Sequence, residues 1–296
     1  MDPDAGMTWA EFLSGWDDLF REPVIAGVVG GGVLGFVGVY VVLRRMVFVS
    51  AAVTSSAGLG VALSFYLGIH HGTQIDPMYS AVVLSIATMT LFVGEGRRLR
   101  ISRESLLGLV FALAGGLTLL IEARISQEAH DIHSILFGDA VLVRPFDYKM
   151  ILGIGITILA LHVWLFRGIT FANFDTPTAR VQGLPVGTLN VFVLVTIGLM
   201  VGITARALGA LPVFAFSTLP AIAALVIGLR MQWTFVLATV FGAIAGGGGY
   251  LYATFEDFPV GGSQTAVASL IVIFAMVGFA GVSFGRFVLG RARGDA

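Results

Sequence analysis

Residues 24–43 read VIAGVVGGGVLGFVGVYVVL, and Arg44-Arg45 follows at once. The stretch carries no charge and has the length an α-helix needs to cross a hydrocarbon core, about 20 residues. The same pattern recurs along the chain. Spans are expected near 24–43, 47–69, 77–94, 105–121, 148–166, 191–208, 210–229, 231–252 and 264–287. The fold class this gives is an all-α membrane protein of about nine transmembrane helices. Pro212 and Pro220 interrupt the seventh span, which is therefore broken or only partly spanning. Backbone groups freed at that depth are tolerated where protein or a water-filled cavity satisfies them.

Composition agrees. Of 296 residues, 57% are hydrophobic and 12% charged, whereas a soluble domain carries about 25% charged residues. A net charge of −1 gives no reason to expect a nucleic-acid partner. The absence of cysteine excludes disulfides, thiolate metal sites and cysteine catalysis. Residues 1–22 are acidic, contain Trp9 and Trp16, and lack the basic start of a signal peptide. They read as an interfacial segment, because Trp favours that depth. The expected layout is this segment, a membrane domain over 23–290 and a tail over 291–296.

Arginine sets the orientation. Arg44 and Arg45 follow the first span; Arg97, Arg98, Arg100 and Arg103 follow the third. Arg167 and Arg180 lie after the fifth, Arg230 after the seventh, and Arg286, Arg291 and Arg293 near the C-terminus. These alternate loops define the cytoplasmic side, with the N-terminus external and the C-terminus cytoplasmic. Arg124 and Arg144, in the external loop 122–147, and Arg206, near the end of the sixth span, are the exceptions. That loop holds a short apolar piece over 135–143, expected as a surface helix. The cytoplasmic loop 167–190 contains Asp175-Thr176-Pro177, a helix start, and Gly183-Leu184-Pro185, a stop. The capped helix between them suits docking to another protein; an ordinary interhelical loop is the alternative. The only lysine, Lys149, lies in no Gly-Lys-Ser/Thr loop. If transport here uses ATP, another chain hydrolyses it.

Five blocks stand in order along the chain: Val42–Met46, Leu136–Asp139 with Pro145 and Asp147, Ala179–Val186, Leu208–Pro212 with Leu219–Ala221, and Asp257–Gly261. Together, over about residues 24–287, they resemble the zinc/manganese/iron-uptake class of ABC importer permeases. Val42-Leu43-Arg44-Arg45-Met46 is similar to the family's LRRM element. Leu136-Phe137-Gly138-Asp139 with Pro145 and Asp147 is similar to its LFGD…P-D element. Ala179-Arg180-Val181-Gln182-Gly183-Leu184-Pro185-Val186 resembles its cytoplasmic coupling helix. Leu208-Gly209-Ala210-Leu211-Pro212 with Leu219-Pro220-Ala221 resembles one of its spans, and Asp257-Phe258-Pro259-Val260-Gly261 its external turn. The resemblance implies a type II ABC importer (cobalamin-importer-like) permease fold in a bacterial inner membrane. It implies a homodimer or heterodimer of permeases, a cytoplasmic ATPase dimer that carries the ATP and Mg, and an external solute-binding protein. It implies no cofactor and no catalytic site in this chain, alternating access as the mechanism, and a divalent transition metal or a metal chelate as cargo.

One block departs. The family places Asp and His four residues apart at the start of the second span, on one helical face. Here that stretch is Ser50-Ala51-Ala52-Val53-Thr54-Ser55-Ser56, with Ala51 and Ser55 at the ligand positions. Ser50, Thr54 and Ser55 offer neutral oxygens only, so transfer of a bare first-row metal lacks its usual ligands.

The candidate site residues follow. Coupling to the ATPase is expected at Asp175, Thr178, Ala179, Arg180, Gln182, Gly183 and Leu184. The translocation pathway is expected at Ser50, Ala51, Thr54, Ser55 and the intramembrane His162, which reads equally as a core histidine bonded to a carbonyl. The external gate or binding-protein face is expected at His70, His71, His130, His133, Asp139 and Asp257. The histidines read either as metal-receiving groups, with Glu128 and Asp131 beside the second pair, or as polar caps. Asp139 and Asp257 read also as turn residues. Arg44 and Arg45 are explained by membrane anchoring alone, or touch the ATPase. Gly246 to Gly249 mark close packing or a flexible break. Alternatives to an importer permease are a transport-inactive or heterodimeric homologue, a permease for a non-metal solute, and a secondary carrier.

Overall fold

The computed structural model describes residues 7–92, 102–125 and 143–294, apart from the side chains of residues 103 and 282–294. The expected surface helix over 135–143 and the residues His130, His133 and Asp139 lie outside the described residues, Val143 excepted. In order, the helices are α1 (Trp9–Ser14), a π-helical turn (Trp16–Phe20) running into α2 (Arg21–Leu43), α3 (Val47–His71), α4 (Pro77–Leu91) and α5 (Arg103–Arg124). Then come α6 (Pro145–Trp164), α7 (Phe166–Phe174), α8 (Thr176–Val181), α9 (Val186–Leu208), α10 (Ala210–Phe216), α11 (Leu219–Ile227), α12 (Met231–Glu256) and α13 (Val260–Gly294). Among the described residues, 8 segments are long and apolar enough to cross a membrane; α4, with 15 residues, is a shorter apolar helix at the expected third position.

The bundle is built on α2 and α12, which run antiparallel with their backbones in contact. A Cβ at Gly27 would press on the carbonyl of Gly246, at Gly31 on that of Gly242, and at Gly35 on that of Ala238. Each step of four along α2 is matched by a step of four back along α12, so small residues form one stripe on each helix. Such stripes let helices approach closely where lipid removes the hydrophobic drive for association. Gly246 to Gly249 lie inside the continuous α12, and Gly249 abuts the backbone of Gln264 on α13. Gly246, Gly247 and Gly249 serve close packing, against Gly27, Val28 and Gln264, and α12 does not break there.

α4 packs between α3 and α9 by the same means: Gly60 meets the Ser80 carbonyl, and Gly202 meets the backbone of Val82. Ser85 donates to the Gly198 carbonyl at 2.7 Å. α5 packs on α3 and leaves Leu109, Leu113 and Leu120 exposed on its outer face. An apolar face of that extent suits lipid or another membrane subunit rather than water.

The seventh span is broken, as its prolines require. Gly209, at φ 92, turns α9 directly into α10, a backbone angle that favours glycine. α10 ends at Phe216, Ser217 and Thr218 form a turn, and Pro220 sits in the first turn of α11. The freed groups are satisfied locally: the Ser217 and Thr218 hydroxyls both donate to the Phe214 carbonyl.

The N-terminal segment folds onto the external end of the bundle. Thr8 and Glu11 form a capping box for α1. Phe12 is buried against Phe20 and Phe255, while Trp9 stacks obliquely on Phe255 with 63% of its surface exposed.

Candidate functional site

The five expected pathway residues separate into two groups. Ala51, Thr54 and Ser55 face a groove of about 1020 Å³ between α3, α5 and α10. Val47 and Phe48 extend its α3 wall; Glu104, Leu107, Gly108, Phe111, Gly115, Thr118 and Leu119 form the α5 wall; Ala210, Leu211 and Phe214 close it. The three- and four-residue spacing along α3 and α5 places each wall on a single helical face. Ser50 and His162 lie elsewhere. Ser50 is fully buried and shares a hydrogen bond with Ser217 in the α10–α11 turn, so it pins the broken span to α3. His162 is fully buried too: Nδ1 meets the Ile158 carbonyl at 2.9 Å, and Nε2 meets the Thr196 hydroxyl at 3.3 Å. Phe36, Tyr40 and Phe192 surround its ring. The structure places it in the core between α2, α6 and α9, away from the groove.

The groove's chemistry is sparse. Glu104 is its one charged side chain, and Thr54, Ser55 and Thr118 carry its hydroxyls. Thr54 donates back to the carbonyls of Ser50 and Ala51, and Thr118 to that of Ala114. Among the described residues no group of three or more His, Asp or Glu could hold a metal ion. A hydroxyl and an isolated carboxylate make a poor site for a first-row ion.

The external end holds a charge cluster that accounts for two of the exceptional arginines. Asp147, 0% exposed at the start of α6, is clamped by Arg144 through two hydrogen bonds of 3.0 Å, one to each carboxylate oxygen. Arg206 of α9 reaches it at 3.6 Å, and Arg144 also reaches Asp76 at 3.1 Å. Asp76 caps α4 by accepting from the Met78 amide. Burial works to raise the Asp76 carboxyl, but that amide and the arginines outweigh it, so it titrates below the usual carboxylate range. The hydrogen bonds to Asp147 and Asp76 together outweigh burial at Arg144 and raise its guanidinium. Two carboxylates balance two guanidiniums, which is why arginines are tolerated on the arginine-poor side. Sequence reasoning missed this; the signal was an arginine inside a span with no charge of opposite sign nearby in sequence.

The expected external-face residues are dispersed. His70 is exposed, stacks on Tyr66 at 4.3 Å and meets the Tyr66 carbonyl at 3.3 Å; His71 is exposed beside it. Asp257 takes the left-handed conformation, φ 53, that ends α12, and its side chain is at the surface.

At the cytoplasmic end, 167–190 is more structured than a loop with one capped helix. α7, unforeseen in the sequence, precedes the expected α8. Asp175 caps α8 by accepting from the Thr178 amide at 3.1 Å; the Thr178 hydroxyl first, and then that amide, hold its carboxyl below the usual range. α8 closes with two bonds, Gly183 N–H to Arg180 O and Leu184 N–H to Ala179 O, with Gly183 at φ 79. This is a Schellman stop, and its apolar contact is present: Ala172, Ala179 and Val186 form a small buried cluster with Phe171, Leu184 and Leu189. Of the expected coupling residues, Asp175, Ala179, Gly183 and Leu184 thus build the element, while Thr178, Arg180 and Gln182 are exposed on it. Val181, 89% exposed, was not singled out. Arg44 ties this arm to α2 by donating to the Asn173 and Asn190 side chains, the latter at 2.7 Å.

Comparison with known proteins places these features in context. Residues 17–278 match the ABC 3 transport family. The chain is similar to the manganese transport system membrane protein MntC of Halalkalibacterium halodurans, at 24% identity over 86% of this chain and 85% of that one. It is similar to the chelated iron transport system membrane protein YfeD of Yersinia pestis, at 27% identity over 87% of this chain and 84% of that one. Its fold is that of a chain in the solved structure of PsaBC from Streptococcus pneumoniae in complex with Fab, with a TM-score of 0.78 at 24% identity, covering 90% and 95% of the two chains.

Proposed function

The chain belongs to the ABC 3 transport family, and on that premise we propose that it is the membrane-spanning permease subunit of an ATP-driven importer for a transition metal. The observation that carries this is the cytoplasmic arm. α8 is capped at both ends and packed on an apolar cluster shared with its neighbours, α7 and α9 on either side of it are tied to the end of α2 through Arg44, and Thr178, Arg180, Val181 and Gln182 stand exposed. A rigid helix joined to the first span can pass a partner's movement into the bundle. The expected partners are a cytoplasmic ATPase dimer, which carries the ATP and Mg, an external solute-binding protein and a second permease. The membrane bundle is not itself the enzyme.

The cargo follows from the groove. Ala51 and Ser55 sit on its wall where the resemblance would put Asp and His, and the rest of the lining is almost wholly apolar. This favours a metal that keeps its own ligands, a chelate, over a bare ion that must exchange water for protein groups. The relatives named for manganese and for chelated iron span both cases.

The test is reconstitution with the ATPase and solute-binding protein in proteoliposomes, comparing ATP-dependent uptake of free manganese with that of chelated iron. Val181→Asp is expected to abolish stimulation of the ATPase while leaving the permease folded. Unchanged stimulation would remove the docking role of α8. Uptake of neither metal form by an otherwise coupled complex would leave a non-metal solute as cargo.

A further inference from the structure

Beneath the cytoplasmic arm lies a small cavity that the transport reading does not use. It is about 50 Å³, bounded by Tyr40 and Arg44 of the α2 end, Thr170 and Asn173 of α7, and apolar groups including Phe235. Three buried polar atoms on its walls have no hydrogen-bond partner: the Tyr40 hydroxyl, the Thr170 hydroxyl and Asn173 Nδ2. Tyr40 is 2% exposed. The two hydroxyls are near enough to influence each other but do not form a hydrogen bond of normal geometry. Buried polar groups are nearly always paired, so three together point to a ligand.

The chemistry of the walls says which kind. Asn173 Nδ2 can only donate, and of the two neighbouring hydroxyls at least one keeps its donor free even if the other donates to it. Arg44 adds a half-buried positive charge. No carboxylate pairs with Arg44 among the described residues. Three of the carbonyls at the end of α2, which would repel negative charge, accept hydrogen bonds: Tyr40 O from Arg44 N–H, Val41 O from Met46 N–H, and Val42 O from Arg45 N–H. A cation with surplus donors in a poorly hydrated cavity favours a negatively charged acceptor. The volume admits a group of a few atoms at most.

We propose that Tyr40, Arg44, Thr170 and Asn173 form a binding site for a small anion, which locks α7 to the end of α2 at the root of the coupling arm. The site does not depend on the cargo. Two sources supply the same chemistry: a free halide, or a carboxylate from the cytoplasmic partner.

The test uses the purified full chain in detergent, with bromide replacing gluconate at constant ionic strength. The thermal midpoint is expected to rise saturably, by on the order of 3 °C, and crystals in bromide are expected to show anomalous density in the cavity. Asn173→Asp keeps the oxygen that accepts from Arg44 and exchanges the free donor for a negative oxygen; it is expected to fold and to lose both effects. Thr170→Val is expected to weaken them. A flat midpoint series in the unaltered chain, an undiminished bromide response in Asn173→Asp, or water alone in the cavity would overturn the proposal. In the complex with the ATPase, a partner carboxylate in place of bromide assigns the source to the partner, retained bromide assigns it to solution, and a cavity holding neither overturns the site.

Discussion

Asp147→Asn tests the external charge cluster. The substitution keeps the shape of a fully buried side chain and removes its charge. Arg206, 14% exposed, then loses the carboxylate at 3.6 Å, and its Nε already lacks a partner. Arg144 is 41% exposed and retains Asp76 at 3.1 Å, so solvent and that second carboxylate cushion its loss. The cost therefore falls mainly on Arg206. Removing one partner of a buried pair leaves an uncompensated charge and costs about 3–5 kcal/mol. At about 2–4 °C per kcal/mol for a chain of this order of size, the midpoint should fall by roughly 10 °C. The assay is loss of the monodisperse peak in size-exclusion chromatography after a temperature series in detergent. The decisive comparison is Asp147→Asn with Arg206→Met. Removing both charges from a buried pair is often neutral, so the double variant should recover most of the loss. A single substitution costing under about 1 kcal/mol, or a double variant as damaged as the sum of the singles, would refute the account of Arg206 as a charge held by Asp147.

Other outcomes follow from the same structure. Gly242→Leu places a side chain on the Gly31 carbonyl and must force α2 and α12 apart; it should abolish a monodisperse protein, whereas Gly153→Leu, at a position open around its Cβ, should be tolerated on expression screening. Gly183→Ala meets no neighbour, so its cost is the strain of φ 79 alone, about 1–2 kcal/mol confined to the arm; hydrogen exchange should quicken across α8 and spare α12. Asp76 is held below its ordinary range, so its contribution is complete above the unfolded value near 3.9 and is lost as pH falls through the lower folded value. The gap in thermal midpoint between the unaltered chain and Asp76→Asn should accordingly be constant above about pH 5 and close in more acid buffers.

The spans and the orientation were legible because each depends on local composition: apolar length and the side on which arginine lies. The break in the seventh span was legible for the same reason, since Pro220 removes a donor wherever it stands. The α8 arm could be read from Asp175, Pro177 and Gly183, whose effects reach only a few residues. α7 could not. Its sequence FRGITFANF is rich in aromatic and β-branched residues and weak in helix propensity; tertiary contacts through Asn173 hold it. Arg206 and Asp147 lie on different spans, and their meeting depends on the packing of α6 and α9, which no local pattern reports. Ala51 and Ser55 were singled out by the family resemblance, and both line the groove. His162 and Ser50 have polar chemistry that suits a pathway or a core equally, and only the neighbours decide.

The division of the seventh span also bears on biogenesis. α10 has 7 residues and α11 has 9, lengths of about 10 Å and 14 Å at 1.5 Å per residue. Neither crosses a bilayer alone, so the two cannot be handed to lipid one after the other as finished helices. Among the earlier helices they are held by α3, whose Ser50 grips Ser217 in the turn, and by α2, whose Gly38 lies against the Ser217 carbonyl. Both helices precede α10 in the chain, ending at Leu43 and His71, well before Ala210. The first two spans therefore offer the seventh a surface already in place, and α12 and α13, which follow it in the chain and pack on it, close over it afterwards.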